Sequence, residues 1–181
     1  MVLVEAKLKI LGQLWEDQQP VRARDLAQKL NLRVAAVTMH LLRLRKLGYV
    51  HVPEYGFYTI TELGKEAIGL PKIDKAYAAK ILHTVPYEKA FHFHTSMHHY
   101  TQVHANSLLE FGDQLQSMDV ESVEFHVPRR DFEAWFQSLG DTELAKRLSL
   151  ISDMPLHGLE LKTKVYETVK HRLEELKHIH G

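Results

Sequence analysis

The first third of the chain contains three short amphipathic segments followed by two short strands, and this order constrains the fold more than any other feature. Apolar side chains recur every three or four residues between Val2 and Glu16, which predicts a first helix. Pro20 ends this segment because proline cannot continue a helix. A second helix is predicted in RDLAQKLN, where Asn31 can adopt the left-handed conformation that often ends a helix.

The third segment with a helical period is RVAAVTMHLLRLRKLG. It is predicted to form a helix that begins near Arg33 and is stopped by Gly48. The side chains expected to face inward are Val34, Val37, Leu41, Leu44 and Leu47. Two strands follow, Tyr49 to Val52 and Phe57 to Ile60, and the turn PEYG between them predicts a hairpin before a last helical segment from Thr61.

The sequence ARDLAQKLNLRVAAVTMHLLRLRKLGYV, followed by YTITELGKEAI, resembles the winged helix-turn-helix of MarR- and ArsR-type transcription regulators. The resemblance covers residues 1–68 and implies a domain that inserts the helix beginning near Arg33 into the major groove of DNA. The residues that it places at the DNA are Arg22, Arg24, Arg33, Ala36, Thr38, Met39, Arg43, Arg45 and Lys46. Ala35 is expected on the same solvent face. Threonine and small apolar side chains suit base edges and thymine methyl groups, whereas the basic side chains suit phosphates.

Charge is distributed unevenly along the chain, although the total is zero. Residues 1–68 carry ten Lys and Arg against seven Asp and Glu, a net charge of +3, and the remaining residues carry −3. A basic surplus confined to the first third is expected if only that part meets a polyanion. The hairpin of the two predicted strands corresponds to the wing of these regulators, which commonly carry a basic residue at its tip. Here the tip, PEYGFY, contains Glu54 and no Lys or Arg. This departure weighs against DNA contacts from the wing.

Residues 69–74, GLPKID, are predicted to be a linker, since Gly69 and Pro71 interrupt the helical pattern and the charge changes sign after them. Residues 75–181 are predicted to form a second, largely helical domain. Its strand-like segment alternates Phe91 and Phe93 with histidines, and the type of the segment VESVEFHV is ambiguous.

This second part also resembles a known domain. The segments VPYEKAFHFHT, ANSLLEFGDQLQSMDVESVEFHVPRRDFEAWFQSLGDTELAKRL and HRLEEL are similar to a prokaryotic (archaeal and bacterial) helical domain of unknown function. The resemblance implies no established activity. The expected fold class is therefore mainly α, with α+β character in the N-terminal domain: a winged helix-turn-helix followed by a small helical domain for sensing or assembly.

Five histidines lie close together in the sequence, at His92, His94, His98, His99 and His104. A spacing of four would place His94 and His98 on one face of a helix, and a spacing of two would place His92 and His94 on one side of a strand. Such a set could bind a divalent transition metal such as zinc or nickel, with His126, Glu124 or Asp131 completing the ligands if the fold brings them near. The alternative is a polar loop whose histidines lie at the surface or bond to the backbone, and in that case we expect no cofactor.

A second group of functional residue types lies in VEFHVPRRDFEAW. His126 stands five residues before Asp131, and a buried His–Asp hydrogen bond that joins two helices explains these residue types without catalysis. The functional alternative is a pocket for an anionic or aromatic effector. The residues proposed to line it are His126, Arg129, Arg130, Asp131 and Trp135. No activated nucleophile or pair of catalytic carboxylates is recognisable, so we do not expect an enzyme.

These observations predict a transcription regulator that binds specific sequences of double-stranded DNA. We expect a homodimer whose recognition helices enter successive major grooves, and a C-terminal domain that senses a small-molecule or metal effector or mediates oligomerisation. The first helix, through Leu3, Leu11 and Trp15, is a second candidate for the dimer surface.

Two alternatives stay open for the function. One is a protein-interaction adaptor whose winged helix does not bind DNA. The other is a metal-responsive regulator that uses the histidines between His92 and His104. With no cysteine and no long apolar segment, the sequence predicts a cytoplasmic protein that does not enter a membrane.

Overall fold

The chain separates into two compact units, one ending at Lys72 and the other beginning at Ile73, in a computed structural model that describes residues 5–181. The division falls within the stretch 69–74. Each unit has a hydrophobic core of its own. Between residues 5 and 181, no helix is long and apolar enough to cross a lipid bilayer.

Helices and a small antiparallel sheet form the N-terminal unit. The elements are α1 (Glu5–Asp17), β1 (Val21–Arg22), α2 (Ala23–Lys29), α3 (Val34–Lys46), β2 (Val50–His51), β3 (Phe57–Ile60) and α4 (Glu62–Ala67). In the sheet, β3 lies between β1 and β2, with Val21 opposite Tyr58 and Val50 opposite Ile60. The predicted winged helix-turn-helix order is confirmed. The structure adds β1, which is too short to give a periodic signal in the sequence.

Apolar side chains from α1, α2, α3 and the sheet form the core of the N-terminal unit. Its buried members are Ile10, Leu11, Leu14, Val21, Leu26, Ala27, Val37, Leu41, Leu44 and Val50. The prediction that Val34 and Leu47 face inward is wrong: they are 48% and 38% exposed, because they lie at the two ends of α3. The dimer surface proposed on α1 also fails for Leu11, which is fully buried, and Trp15 is only 8% exposed. Leu3, the remaining member, lies outside the described residues.

The segment YTITELGKEAI contains a Thr-x-x-Gly pattern, Thr61 to Gly64, directly after β3, and this pattern has a steric cause. Thr61 caps α4, because its hydroxyl accepts a hydrogen bond from the Gly64 N–H (3.1 Å) and donates one to the Gly48 carbonyl (2.7 Å). Gly64 packs so closely that an added Cβ would lie 2.3 Å from the carbonyl oxygen of Tyr49. Glycine is therefore required where α4 meets the residue before β2.

Helices pack on a β-hairpin in the C-terminal unit. The elements are α5 (Lys75–Leu82), a 3₁₀ turn (Tyr87–Lys89), β4 (Phe91–Ser96), β5 (His99–Ala105), α6 (Leu108–Ser117), α7 (Val120–His126), α8 (Asp131–Leu139), α9 (Thr142–Ser152) and α10 (Gly158–His180). α7 packs on β4, and α6 packs on β5. The long α10 contacts α5, α6, α7 and α9, so it is the element that holds the helices together.

The hairpin is only half predictable from the sequence. The strand predicted from the alternation of Phe91 and Phe93 is β4, and both phenylalanine rings are buried. The sequence does not reveal β5, because Gln102 takes a positive φ of 63° and register shifts interrupt the pairing. Buried and exposed residues therefore do not alternate along this strand. The ambiguous segment VESVEFHV forms α7 and its C-cap.

Arg172 of α10 is the largest fully buried side chain of the unit, only 1% exposed. Its Nε and Nη2 donate to the carboxylate of Asp141 at 2.9–3.1 Å, and its Nη1 donates to Glu143 at 2.8 Å and to Glu175 at 3.1 Å. Asp141 is also the N-cap of α9, where its side chain accepts from the Leu144 N–H. A charge this deep is tolerated only when its partners are in place, so α10 is locked to the junction of α8 and α9.

Replacing Arg172 by methionine is expected to lower the free energy of unfolding by about 3–5 kcal/mol, because Asp141 would stay buried without its guanidinium partner. Urea unfolding of the full chain, followed by circular dichroism, measures the change. Lys170→Met removes the same charge from an exposed position on α10 and should change the free energy of unfolding by less than about 0.5 kcal/mol. Equal effects of the two substitutions would contradict a structural role for the buried pair.

Candidate functional site

The outward side of α3 carries apolar side chains in its middle. Ala35, Met39 and Leu42 follow one another along this side, and Met39 is 57% and Leu42 52% exposed. Thr38 and Ala36 lie at its edges and are half-buried. Sequence reasoning placed Ala35 and Met39 on this face but missed Leu42, although the spacing of four and three residues was the signal that could have found it.

The basic residues that were predicted to contact DNA lie at the surface of the N-terminal unit. They are Arg22, Arg24, Arg33, Arg43, Arg45 and Lys46. α3 contains no acidic residue, and among residues 5–181 none of these six side chains forms a salt bridge. The guanidinium of Arg22 lies over the Phe57 ring, 4.7 Å from its centre. Basic side chains without carboxylate partners can neutralise the phosphates of a nucleic-acid backbone.

The loop between β2 and β3 has a different character. Tyr55 at its tip is 99% exposed, and the neighbouring Glu54 is exposed as well. The wing tip therefore presents an aromatic ring and a negative charge to solvent. It offers no basic side chain to a phosphate.

A cleft of about 300 Å³ opens beside β4 in the C-terminal unit. Its lining residues are Phe91, His92, His94, Ser96, Met97, Phe125, His126, Arg129 and Asp131. Two groups that the sequence suggested separately meet here. His92 and His94 come from the histidine-rich segment, and His126, Arg129 and Asp131 come from the proposed effector pocket.

His126 lies at the end of α7 in the wall of this cleft, and the residue is only 3% exposed. The backbone N–H of His94 donates to Nε2 of His126 at 2.8 Å, and Nδ1 of His126 donates to Oδ2 of Asp131 at 2.8 Å. Because Nε2 accepts, the imidazole is the neutral tautomer with its proton on Nδ1. Burial lowers the pKa of His126 below its ordinary value, against the opposing effect of Asp131. The predicted hydrogen bond between His126 and Asp131, which joins α7 to α8, is present. It occupies one ring nitrogen of His126, and the bond from the His94 N–H occupies the other.

The backbone of His94 is held by α7 on both of its polar groups. Its N–H donates to His126, and its carbonyl oxygen accepts from the Ser122 hydroxyl at 2.9 Å. These two bonds give partners to the backbone N–H and carbonyl groups of His94 on the edge of β4 that faces away from β5. The imidazole of His94 is half-buried at the cleft, and its ring nitrogens form no hydrogen bond within residues 5–181. It is therefore available to a ligand, whereas the imidazole of His126 is not.

Arg129 lies at the edge of the cleft. Its Nε donates to Oδ2 of Asp131 at 3.0 Å, and its guanidinium lies over the Phe125 ring, 4.9 Å from the ring centre. The side chain remains 45% exposed. Arg129 thus presents a cationic group to the cleft while the aromatic ring beneath it supplies an apolar wall.

The prediction that Arg130 and Trp135 line the same pocket is wrong. Arg130 takes a left-handed conformation with φ 59°, and its guanidinium binds Glu133 and Asp153 instead. Trp135 belongs to the core, where its ring packs 5.7 Å from that of Phe91 and its Nε1 donates to a backbone carbonyl. Arg130 follows Arg129 directly, but the sharp turn before α8 sends the two side chains to different partners.

The histidine-rich segment forms a hairpin, so His94 and His98 do not share a helix face as the spacing of four suggested. His92 lies opposite His104 across the two strands, with ring centres 5.9 Å apart. His98 lies in the turn, and both His98 and His99 are exposed. Within residues 5–181, no group of three or more His, Asp or Glu side chains is arranged to hold a metal ion.

Parts of the chain are similar to known families. Residues 42–170 match the Family of unknown function (DUF5752), and residues 5–52 match the Bacterial regulatory protein, arsR family. An uncharacterized HTH-type transcriptional regulator of Methanocaldococcus jannaschii is 39% identical over 51 residues, which are 28% of this chain and 41% of that protein. The match therefore spans less than half of the relative's length. No solved structure matches the chain.

Protonation of His126 is expected to destabilise the C-terminal unit, because a proton on Nε2 would face the N–H of His94. Burial in the folded chain disfavours the protonated ring, so the pKa of His126 in the folded chain lies below its pKa in the unfolded chain. The contribution of neutral His126 to the free energy of unfolding is therefore complete above about pH 6.5, and it is lost progressively as the pH falls below that value. Urea unfolding at a series of pH values should show this loss, with a slope of at most about 1.4 kcal/mol per pH unit from this group.

His126→Gln should make the free energy of unfolding less dependent on pH in the acid range, since glutamine does not titrate. His178→Gln, at an exposed position on α10, is the matched control and should keep the original pH profile. A pH profile that His126→Gln leaves unchanged would contradict the assigned tautomer.

Proposed function

The chain belongs to the DUF5752 family of unknown function and carries an ArsR-type helix-turn-helix, and from this premise we propose that it regulates transcription by binding specific sequences of double-stranded DNA through α3. One observation carries the proposal: among residues 5–181, the side chains of Arg33, Arg43, Arg45 and Lys46 have no carboxylate partner. The likeness of the N-terminal part to a helix-turn-helix transcriptional regulator supports it.

In this proposal, α3 enters the major groove and the basic side chains bind the phosphates beside it. Arg33 precedes the helix, whereas Arg43, Arg45 and Lys46 lie in its last turn, so the charges flank the side chains that face the bases. Phosphate contacts supply affinity that falls with salt, and the side chains between them supply sequence preference. Two copies in a homodimer would place two such helices in successive grooves.

The cleft beside β4 is the proposed effector site of the C-terminal unit. The imidazole of His94 and Nη2 of the Arg129 guanidinium are polar groups open to a ligand. Phe91 and Phe125 supply apolar walls together with Met97, whose sulfur accepts from Nη1 of Arg129 at 3.2 Å. This combination fits a small molecule with an apolar body and an acidic group. Its binding would change DNA affinity by altering the separation of the two recognition helices in the dimer.

A protein-interaction adaptor is the second candidate, and the exposed Met39 and Leu42 favour it. Apolar side chains on an exposed helix can contact another protein as well as a base. The two candidates differ in their dependence on salt, because only binding to a phosphate backbone releases a large number of counterions.

Replacing both Arg43 and Arg45 by alanine is expected to weaken binding to every duplex by a similar factor. Each lost phosphate contact should reduce the slope of log K against log salt by about one, so the double substitution should reduce it by about two. Fluorescence anisotropy with a random duplex at several salt concentrations measures both quantities. Lys164→Ala with Lys170→Ala removes two exposed charges from α10 and is the charge-matched control. Binding that is absent at low salt, or indifferent to salt, would favour the adaptor.

Arg129→Met should abolish the stabilisation that an effector gives. We expect a thermal-shift screen of small aromatic and aliphatic carboxylates to find compounds that raise the melting temperature of the full chain. Arg129→Met should remove that rise, because the acidic group loses its cationic partner. Lys146→Met removes an exposed charge away from the cleft and should retain the rise. A ligand that stabilises both variants equally binds elsewhere, and this outcome would reject the cleft as the effector site.

A further inference from the structure

Three apolar side chains form a line on the outward side of α3. Ala35, Met39 and Leu42 are spaced by four and three residues, so they follow one another along the helix axis. Met39 and Leu42 each expose more than half of their surface, at 57% and 52%. Apolar surface gains free energy when another apolar group covers it, so a partner that fits this line should present an apolar group of its own.

Before its basic last turn, α3 offers few side chains that can form hydrogen bonds with base edges, and His40 there is half-buried. The helix contains no Asn, Gln, Asp, Glu or Ser. Thr38 has its hydroxyl hydrogen committed, because Oγ1 donates to the carbonyl oxygen of Val34 at 2.9 Å. α3 therefore lacks the amide side chains that read adenine and the carboxylates that read cytosine.

Charge indicates what kind of partner covers the line. Arg33 lies just before α3, and Arg43 and Arg45 lie in its last turn, all exposed and without carboxylate partners in residues 5–181. An apolar line between two basic ends is complementary to the DNA major groove, which runs between two rows of phosphates. The apolar group in that groove is the C5-methyl of thymine.

We infer that Ala35, Met39 and Leu42 recognise thymine methyl groups, so the specific sites of this protein are rich in A·T pairs where the middle of α3 meets the bases. This inference rests on the proposed DNA binding and adds the class of base that is read. Arg33 and Arg43 bracket the methyl contacts and hold the helix in register on the backbone.

The test replaces thymine by deoxyuridine, which lacks only the C5-methyl group. Duplexes that bind the full-length protein are first selected from a random library, and each thymine of the enriched site is then replaced singly. Loss of one contacted methyl group should weaken binding about fourfold, the equivalent of about 0.8 kcal/mol for burying a group of that size. Replacement of thymines outside the enriched site should leave the affinity unchanged.

Met39→Ala separates the role of this side chain from general DNA affinity. At the base pair that faces residue 39, the ratio of the affinities for thymine and deoxyuridine should fall toward one, while binding to a random duplex stays the same. Met154→Ala removes another exposed methionine, 42% exposed in the C-terminal unit, and should keep the original ratio.

Each remaining outcome overturns the inference in a distinguishable way. Equal affinity for thymine and deoxyuridine duplexes, or selection without enrichment while random duplexes still bind, would reject methyl recognition and keep DNA binding. Absence of binding to any duplex at low salt would reject the proposed function as well. A change in self-association of Met39→Ala, measured by sedimentation, with an unaltered thymine preference would identify the line as a protein contact.

Discussion

The buried ion pair between Arg172 and Asp141 is the constraint on which the C-terminal unit depends. Removing two charges from water costs several kcal/mol per ion, and only a precise arrangement of hydrogen bonds offsets that cost. Asp141 meets the requirement by capping α9 and accepting from Arg172 at once. Next to it, Gly140 turns the chain with φ 91°, and its carbonyl accepts from the Tyr77 hydroxyl of α5. α5, α8, α9 and α10 therefore share one junction, and the other end of α8 carries Asp131 to the cleft.

Arginine serves opposite purposes in the two units. Arg172 is buried and pairs with the carboxylates of Asp141, Glu143 and Glu175, so its charge contributes to holding α10 against α9. Arg43 and Arg45 are exposed and unpaired within residues 5–181, so their charge stays available to a partner. The same guanidinium group holds helices together in the C-terminal unit, and in the proposed function it binds phosphates in the N-terminal unit. The difference lies in the acidic residues around it, which are absent from α3.

Much of the fold follows from local sequence, because the three-residue and four-residue spacings of the N-terminal third and the Thr-x-x-Gly pattern have direct steric causes. The order of helices and hairpin there, and the strand around Phe93, are predictable for that reason. β5 is not, since the irregularity at Gln102 erases its alternation. For the cleft, the sequence indicates His126 and Asp131 but cannot show that Arg130 turns away. The direction of the Arg130 side chain depends on the left-handed backbone of Arg130 and on its hydrogen bond to Asp153, 23 positions further along the chain.

His126 combines burial with two occupied nitrogens, and this has a chemical consequence for whatever enters the cleft. Its Nδ1 proton is engaged by Asp131, and its Nε2 lone pair is engaged by the backbone of β4. A molecule that entered the cleft would therefore meet, at His126, an imidazole that exchanges no proton with it while both hydrogen bonds are in place. Proton transfer at His126 would first require one of these two hydrogen bonds to break, and with it a link from α7 to β4 or to α8.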